Sequence, residues 1–319
     1  MIIVKKFGGT SVANLESMFN VANRCIEEYN KENQVVVVLS AMGKYTDELV
    51  DLAKQINVEV PKREMDMLFT VGEQISVSLM AMVFNKLGIP SISLNAFQVR
   101  MFTDDNYGDA KILKIETERI KKELSENKIV IVTGFQGIDD NNNYTTLGRG
   151  GSDTTAVALA GALNADICEI YTDVEGVFTA DPRIVKDAVK LSEISYEEML
   201  EFSNLGAGVL HNKCVEIAKD NNIKLEVRSS TSNEIGTKVK DLDINNLKVE
   251  KITGVTSNEN VVSIVGVNLT GETIDKVMEN LNENNLKFIN LDYTNMRISF
   301  EVDSKEVNTC LNCMHDLFF

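Results

Sequence analysis

The chain has 319 residues, 44% hydrophobic and 25% charged, which supports a real core in two domains, or in one large domain with an appendage, and excludes an intrinsically disordered chain. Thirty-two Lys and Arg stand against 48 Asp and Glu, a net charge of −16 that repels nucleic acid and anionic membranes, and no basic stripe overrides it. No apolar run approaches the roughly 20 residues of a bilayer span and no signal-peptide layout opens the chain, so a cytoplasmic location is expected.

Residues 2–7 (IIVKKF) predict a buried strand running into Gly8-Gly9-Thr10-Ser11. A helix follows, with Val12, Leu15, Phe19, Ala22, Ile26 and Tyr29 at helical spacing and Asn14, Glu16 and Asn20 on its wet face. The run VVVVLS (35–40) has the continuous apolar character of a parallel strand covered on both faces. Next come a long helical stretch over 63–87, a strand at 91–94, a helix over 109–126 and the strand IVIVTG (129–134). A helix over 153–163 leads to the strand CEIYT (168–172), and KLEVRSS (224–230) closes the block. Strands alternating with helices predict a mostly parallel α/β sheet with helices on both faces.

Near residue 240 the composition turns rich in Asn and Lys. Four short strands are expected at 252–256, 261–267, 288–293 and 296–302. One helix should carry Ile274, Val277, Met278 and Leu281, and another Val307, Cys310, Leu311, Met314 and Phe318. This is a small α+β module over 250–319, joined by a linker over 239–250 to a block over 1–240. The cysteines (25, 168, 214, 310 and 313) are odd in number and lie mostly in apolar patterns, so they read as core thiols.

Three segments carry chemistry. Lys6-Phe7-Gly8-Gly9 stands at a strand-to-helix junction, where paired glycines let backbone N–H groups converge on one anion and a lysine can neutralise phosphate oxygens. A glycine turn beside a solvated lysine is the plainer alternative. Thr146-Leu147-Gly148-Arg149-Gly150-Gly151-Ser152-Asp153 opens a helix, and Arg149 offers a fork suited to a carboxylate. Asp153 orients a lysine or a bound water there, or only caps the helix. The segment Thr172-Asp173 through Phe178-Thr179-Ala180-Asp181-Pro182-Arg183 follows a buried strand, at the end where open α/β sheets bind ligands; a structural turn would use the same residues. Ser40 and Thr46 also lie just past a strand, and Glu73 interrupts an apolar helical stretch, where it needs a cation unless it faces water.

The sequence lacks G-x-x-x-x-G-K-[ST], a strand-borne G-x-G-x-x-G and the protein-kinase set. With His211 and His315 as its only histidines it is a poor fit to a Ser-His-Asp hydrolase or a His-based zinc enzyme. Cys310-x-x-Cys313 has no second pair and is assigned to packing.

Taken together, KFGGTS (6–11), SAMG (40–43), REMDML (63–68), VGEQIS (71–76), GFQG (134–137), TTLGRGGSDTTA (145–156), EIYTDVEGVFTADPR (169–183) and VRSS (227–230) resemble the amino-acid kinase superfamily, and within it the aspartate kinases. The resemblance covers about residues 1–240; the segment over 250–319 resembles an ACT domain. It implies an amino-acid-kinase-type three-layer αβα sandwich with a mostly parallel central sheet, plus a small ACT-like, ferredoxin-like unit. The implied activity is transfer of the ATP γ-phosphoryl group to the β-carboxylate of L-aspartate, the entry to lysine, threonine and methionine synthesis.

By this resemblance Glu73 holds the substrate ammonium and Arg149 grips its α-carboxylate. Ser40, Thr46, Gly150, Gly151 and Ser152 complete the substrate site. Lys6 and Asp153 are the catalytic pair. Lys6, Phe7, Gly8, Gly9, Thr172, Asp173, Phe178, Ala180, Asp181 and Arg183 bind ATP, and Mg²⁺ arrives with the phosphates with no protein metal site of its own. Gly208 stands where many members have an ATP-facing lysine, with Lys213 as a candidate substitute, and Phe178 where a tyrosine is common. The module has room for one ACT unit and lacks a closing strand, which implies an unpaired sheet edge and a homodimer or larger assembly, and makes lysine or threonine a doubtful effector. A sister kinase acting on acetylglutamate, glutamate or UMP, and a catalytically weak regulatory subunit, are the rival readings.

Overall fold

The computed structural model describes residues 1–57, 59–244 and 249–319. The chain opens with β1 (Ile2–Phe7), α1 (Leu15–Tyr29), β2 (Gln34–Leu39), α2 (Tyr45–Ile56) and α3 (Lys62–Lys86). It continues through β3 (Ser91–Leu94), β4 (Met101–Thr103), β5 (Ile112–Ile115), α4 (Glu118–Ser125), β6 (Ile129–Thr133), β7 (Gln136–Ile138) and β8 (Tyr144–Thr146). Next are α5 (Gly151–Leu163), β9 (Ile167–Thr172), β10 (Glu193–Ser195), α6 (Tyr196–Asn204), α7 (Asn212–Asp220), β11 (Leu225–Ser229) and β12 (Thr237–Lys240). The last segment holds β13 (Lys251–Asn258), β14 (Val261–Val267), α8 (Gly271–Glu283), β15 (Phe288–Tyr293), β16 (Arg297–Val302) and α9 (Val307–Phe318).

The central sheet has the order β10-β12-β11-β9-β1-β2-β6-β3 and is parallel except where β12 turns back on β11. Strands β2 and β6 are continuous Val and Ile runs because both faces are covered. Val4, Val36 and Val38 face α5 and α7, whereas Phe7, Val37 and Leu39 face α1 and α3. Each such side chain, fully buried, contributes about 1.5–3 kcal/mol. This is the three-layer α/β arrangement that the alternation of elements implied. A second sheet, β5-β4-β7-β8, lies at the end where the site forms.

Several local expectations change. The helix expected over 109–126 is a strand followed by a short helix: Ile112, Ile115, Ile120 and Leu124 mimic helical spacing, but the first two pair with β4 and α4 starts only after Thr117. In α1 Leu15 is exposed, and the buried face is Met18, Val21, Ala22 and Cys25. Among the described residues one helix, α3, is long and apolar enough by length and composition to cross a membrane, contrary to the expectation that no such run exists. In this fold α3 packs against α1, α2, β3, β6 and β8 and buries Asp66 and Glu73.

The final segment forms a four-stranded antiparallel sheet, β13-β14-β16-β15. Strand β13 pairs with β14 from Lys251 to Asn258. On β14 Val262 and Ile264 face α8 and α9, while Val265 joins the core of the large unit. Both faces are therefore covered, and the small unit is docked by side chains rather than tethered. Of the linker expected over 239–250, residues 239–240 belong to β12, and 245–248 lie outside the described residues.

Candidate active site

Side chains alternate across a strand, so the two lysines of β1 point to opposite faces. Lys5 is buried on the α1 side, where it donates to Glu169 and, at 3.2 Å, to Tyr171 Oη; Arg228 shares the same Glu169. Lys5 belongs to the core. Lys6 lies on the α5 side, its Nζ 2.7 Å from Asp153 Oδ1.

Two backbone features flank this pair. After β1 the chain makes a single 3-10 turn, Gly9–Val12, and a Cβ at Gly9 would sit 2.7 Å from Ala41 O, so only glycine allows the two loops to touch. Gly150, with φ 68°, caps α5, and the first turn of that helix presents Ser152 and Asp153 to the same space. Helix N–H groups and the positive end of the dipole favour anions there. Ser40 Oγ donates to Ser152 Oγ at 2.9 Å, joining the β2 loop to the helix.

The third wall is α3. Glu73 is 3% exposed. Its Oε1 accepts from Ala41 N at 3.1 Å, while Oε2 has no partner among the described residues. Burial pushes its carboxyl up to about 7, against the opposing hydrogen bond from Ala41. Two turns earlier, Asp66 is 1% exposed and accepts from Gly108 N (3.0 Å), Thr146 N (2.8 Å) and Thr146 Oγ1 (2.8 Å). Its carboxyl is raised by burial, with the Thr146 and Gly108 bonds acting in the other direction.

These elements enclose a cleft of about 770 Å³. Lys6, Gly8, Gly9, Ser40, Thr46, Glu73, Arg149, Gly150, Gly151, Ser152 and Asp153 all line it, so residues spread over 148 positions of sequence meet in one place. Arg149 makes no ion pair among the described residues. A second cavity, about 930 Å³, is lined by Asp173, Phe178, Ala180, Asp181 and Arg183. A third hollow connects the two: it shares Gly150 and Asp153 with the cleft, and Gly206 through Val209 with the second cavity.

Some sequence-derived residues fall elsewhere. The Phe7 ring is fully buried and stacked on Tyr171 at 4.4 Å, so it is core rather than cleft lining. Thr172 stands beside the second cavity, its hydroxyl donating to Asp173 at 2.9 Å. Arg183 is largely exposed and held bidentately by Asp181, whose carboxyl it keeps below the usual range. Lys213, the candidate substitute for a lysine at 208, is paired with Asp109. Sequence reasoning missed the contribution of the small unit: Val255, Thr256, Ser257 and Leu311 wall the second cavity, and His315 Nε2 lies 2.9 Å from Thr179 Oγ1. Nothing in their local pattern signals it, because the contact joins segments more than 70 residues apart.

The sequence profile of the Amino acid kinase family matches residues 1–229. An aspartokinase of Bacillus sp. (strain MGA3) is 63% identical over 236 residues, 74% of this chain and 57% of that protein. The chain thus spans little more than half the length of this curated relative. The aspartate kinase structure from Synechocystis superposes with a TM-score of 0.70 at 40% identity, covering 97% of this chain and 54% of that one. Escherichia coli aspartokinase III in complex with aspartate and ADP superposes with a TM-score of 0.86 at 20% identity over 100% of both chains, a likeness of fold.

Proposed function

The chain belongs to the amino acid kinase family, and on that premise we propose that it is an aspartate kinase. It transfers the γ-phosphoryl group of ATP to the β-carboxylate of L-aspartate, giving 4-phospho-L-aspartate and ADP. The observation that carries this reading is the unpartnered Glu73 Oε2, a buried acceptor facing a cleft whose other groups are Arg149, Ser152 and the Lys6–Asp153 pair. A buried carboxylate needs a cation, and an α-ammonium supplies one. Arg149 then takes the α-carboxylate, which directs the side-chain carboxylate towards Lys6.

That carboxylate is already ionised at neutral pH, so no general base is required. One of its oxygens attacks the γ-phosphorus as the bond to the ADP oxygen breaks. The protein's share is alignment and charge stabilisation. Lys6 neutralises the transferring phosphoryl oxygens, the Gly8-Gly9 turn and the α5 N-terminus offer N–H groups, and Asp153 holds Lys6 in position. Among the described residues no cluster of three or more His, Cys, Asp or Glu is placed to hold a metal. Mg²⁺ would come in with ATP on phosphate oxygens and water and lend charge neutralisation there. The second cavity suits the rest of the nucleotide, with Phe178 offering a ring to the base.

Purified chain with MgATP should release ADP only when L-aspartate is added, and not with glutamate, acetylglutamate or UMP. Equal release with any of those three would overturn the substrate assignment. Gly208 provides a second check. A Cβ there meets nothing within 4 Å, and the loop lines both nucleotide-side hollows. Gly208→Lys is therefore expected to shift stability by less than about 0.5 kcal/mol and to lower the KM for ATP about tenfold; an unchanged KM contradicts the placement of the phosphates. Self-association through the small unit belongs to the same proposal, supported by exposed Ile289 and Tyr293 on edge strand β15.

A further inference from the structure

We infer that Asp66 is a positioning residue for the acceptor site, fixing from α3 the segment that presents Arg149. The inference rests on the aspartate-kinase reading. Arg149 stands between Gly148 (φ 75°) and Gly150 (φ 68°), both in the left-handed region, and it has no ion pair among the described residues. A loop built this way takes its position from its neighbours. Asp66 supplies the strongest of these ties, because a buried carboxylate accepting two backbone N–H groups and a hydroxyl holds all three donors at once. Thr146 N and Oγ1 fix the strand three residues before Arg149. Gly108 N fixes the adjoining turn, against which Gly148 packs so closely that a Cβ there would be 2.5 Å from Asp109 Oδ1.

The same helix face carries the rest of the frame. Thr70 O accepts from Gln136 Nε2 at 3.1 Å, Glu73 holds Ala41 N, and Ser76 Oγ donates to Ser40 O at 2.8 Å. Asp66 and Glu73 are seven residues apart, about 10 Å along a helix. One rigid element thus sets the separation between the ammonium acceptor and the loop that offers the carboxylate fork. That separation selects the length of amino acid the cleft accepts. Asp66 touches no substrate in this scheme; it acts through Arg149.

The test uses the whole chain as Asp66→Asn and Thr146→Val, with melting curves for both, ADP release measured against aspartate and ATP separately, and amide hydrogen exchange over residues 142–152. Asn at 66 keeps one oxygen for the two N–H groups but gives up the charge that strengthens both bonds, and it puts a donor where the Thr146 hydroxyl donates. It is expected to raise the KM for aspartate roughly 10- to 100-fold with ATP KM unchanged, and to speed exchange across 142–152 alone. Thr146→Val removes only the hydroxyl bond and should raise the aspartate KM by a smaller factor. Aspartate and ATP KM rising together, or neither moving in a folded variant, overturns the inference. If Asp66→Asn fails to fold, the aspartate KM of Thr146→Val decides alone. If the wild-type chain itself shows no aspartate-dependent ADP release, the functional reading falls. Asp66 is then judged by exchange, and equal protection of 142–152 in variant and wild type counts against it.

Discussion

Replacing Lys6 by methionine is expected to lower kcat by about a hundred- to a thousandfold while leaving the KM for aspartate nearly unchanged. Its ammonium is the cation of β1 that faces the cleft, 2.7 Å from Asp153. A preorganised charge aimed at the transferring phosphoryl group contributes on the order of 3–4 kcal/mol to the transition state. Methionine keeps the stem but strands Asp153, whose negative charge would then face the phosphates. Arginine should not restore the rate, because its planar fork needs a different approach from a compact ammonium. Steady-state kinetics at saturating aspartate measure the effect. A loss smaller than tenfold would remove Lys6 from the chemistry.

The second large effect belongs to Glu73. Glu73→Gln should lower kcat/KM for aspartate about a hundredfold or more, since it deletes the buried partner of the ammonium and presents an amide donor in its place. Only the ionised carboxylate pairs with that ammonium, so kcat/KM for aspartate in the wild type should climb through about pH 7 and level off above it. The variant should lose this limb. Stability should move in the opposite sense. Between the ordinary value near 4.5 and the folded value near 7, the folded chain binds a proton that the unfolded chain has released. The contribution of Glu73 to stability is thus complete below about 4.5 and is lost as pH rises through about 7. The difference amounts to on the order of 3 kcal/mol. Glu73→Gln should therefore melt higher than wild type at pH 8 and show no such advantage at pH 5.

How much of this was legible in the sequence depended on whether the signal was local. The Val and Ile runs of β2 and β6 announce central strands, because burial on both faces leaves few polar positions to blur them. The three-residue strands β4, β7, β8 and β10 carry too few residues for a period to register, whereas α2, α6 and α7 bury amphipathic faces that a helical period does mark. The cleft was readable because its chemistry is concentrated in glycine turns and helix starts. Hidden were the long-range pairings: Lys213 with Asp109, Asp66 with Thr146, and the small unit against Thr179. Phe7 was misplaced by its neighbours. It lies inside a binding motif, yet strand alternation turns its ring into the core while Lys6 faces the cleft.

The most direct measurement is a crystal structure of the chain grown with L-aspartate and ADP. The account predicts the α-ammonium against Glu73 Oε2, the α-carboxylate on the Arg149 guanidinium, and the β-carboxylate turned towards Lys6, with the nucleotide reaching in from the cavity beside Phe178. Aspartate bound elsewhere, or in the cleft with its ammonium away from Glu73, would contradict it.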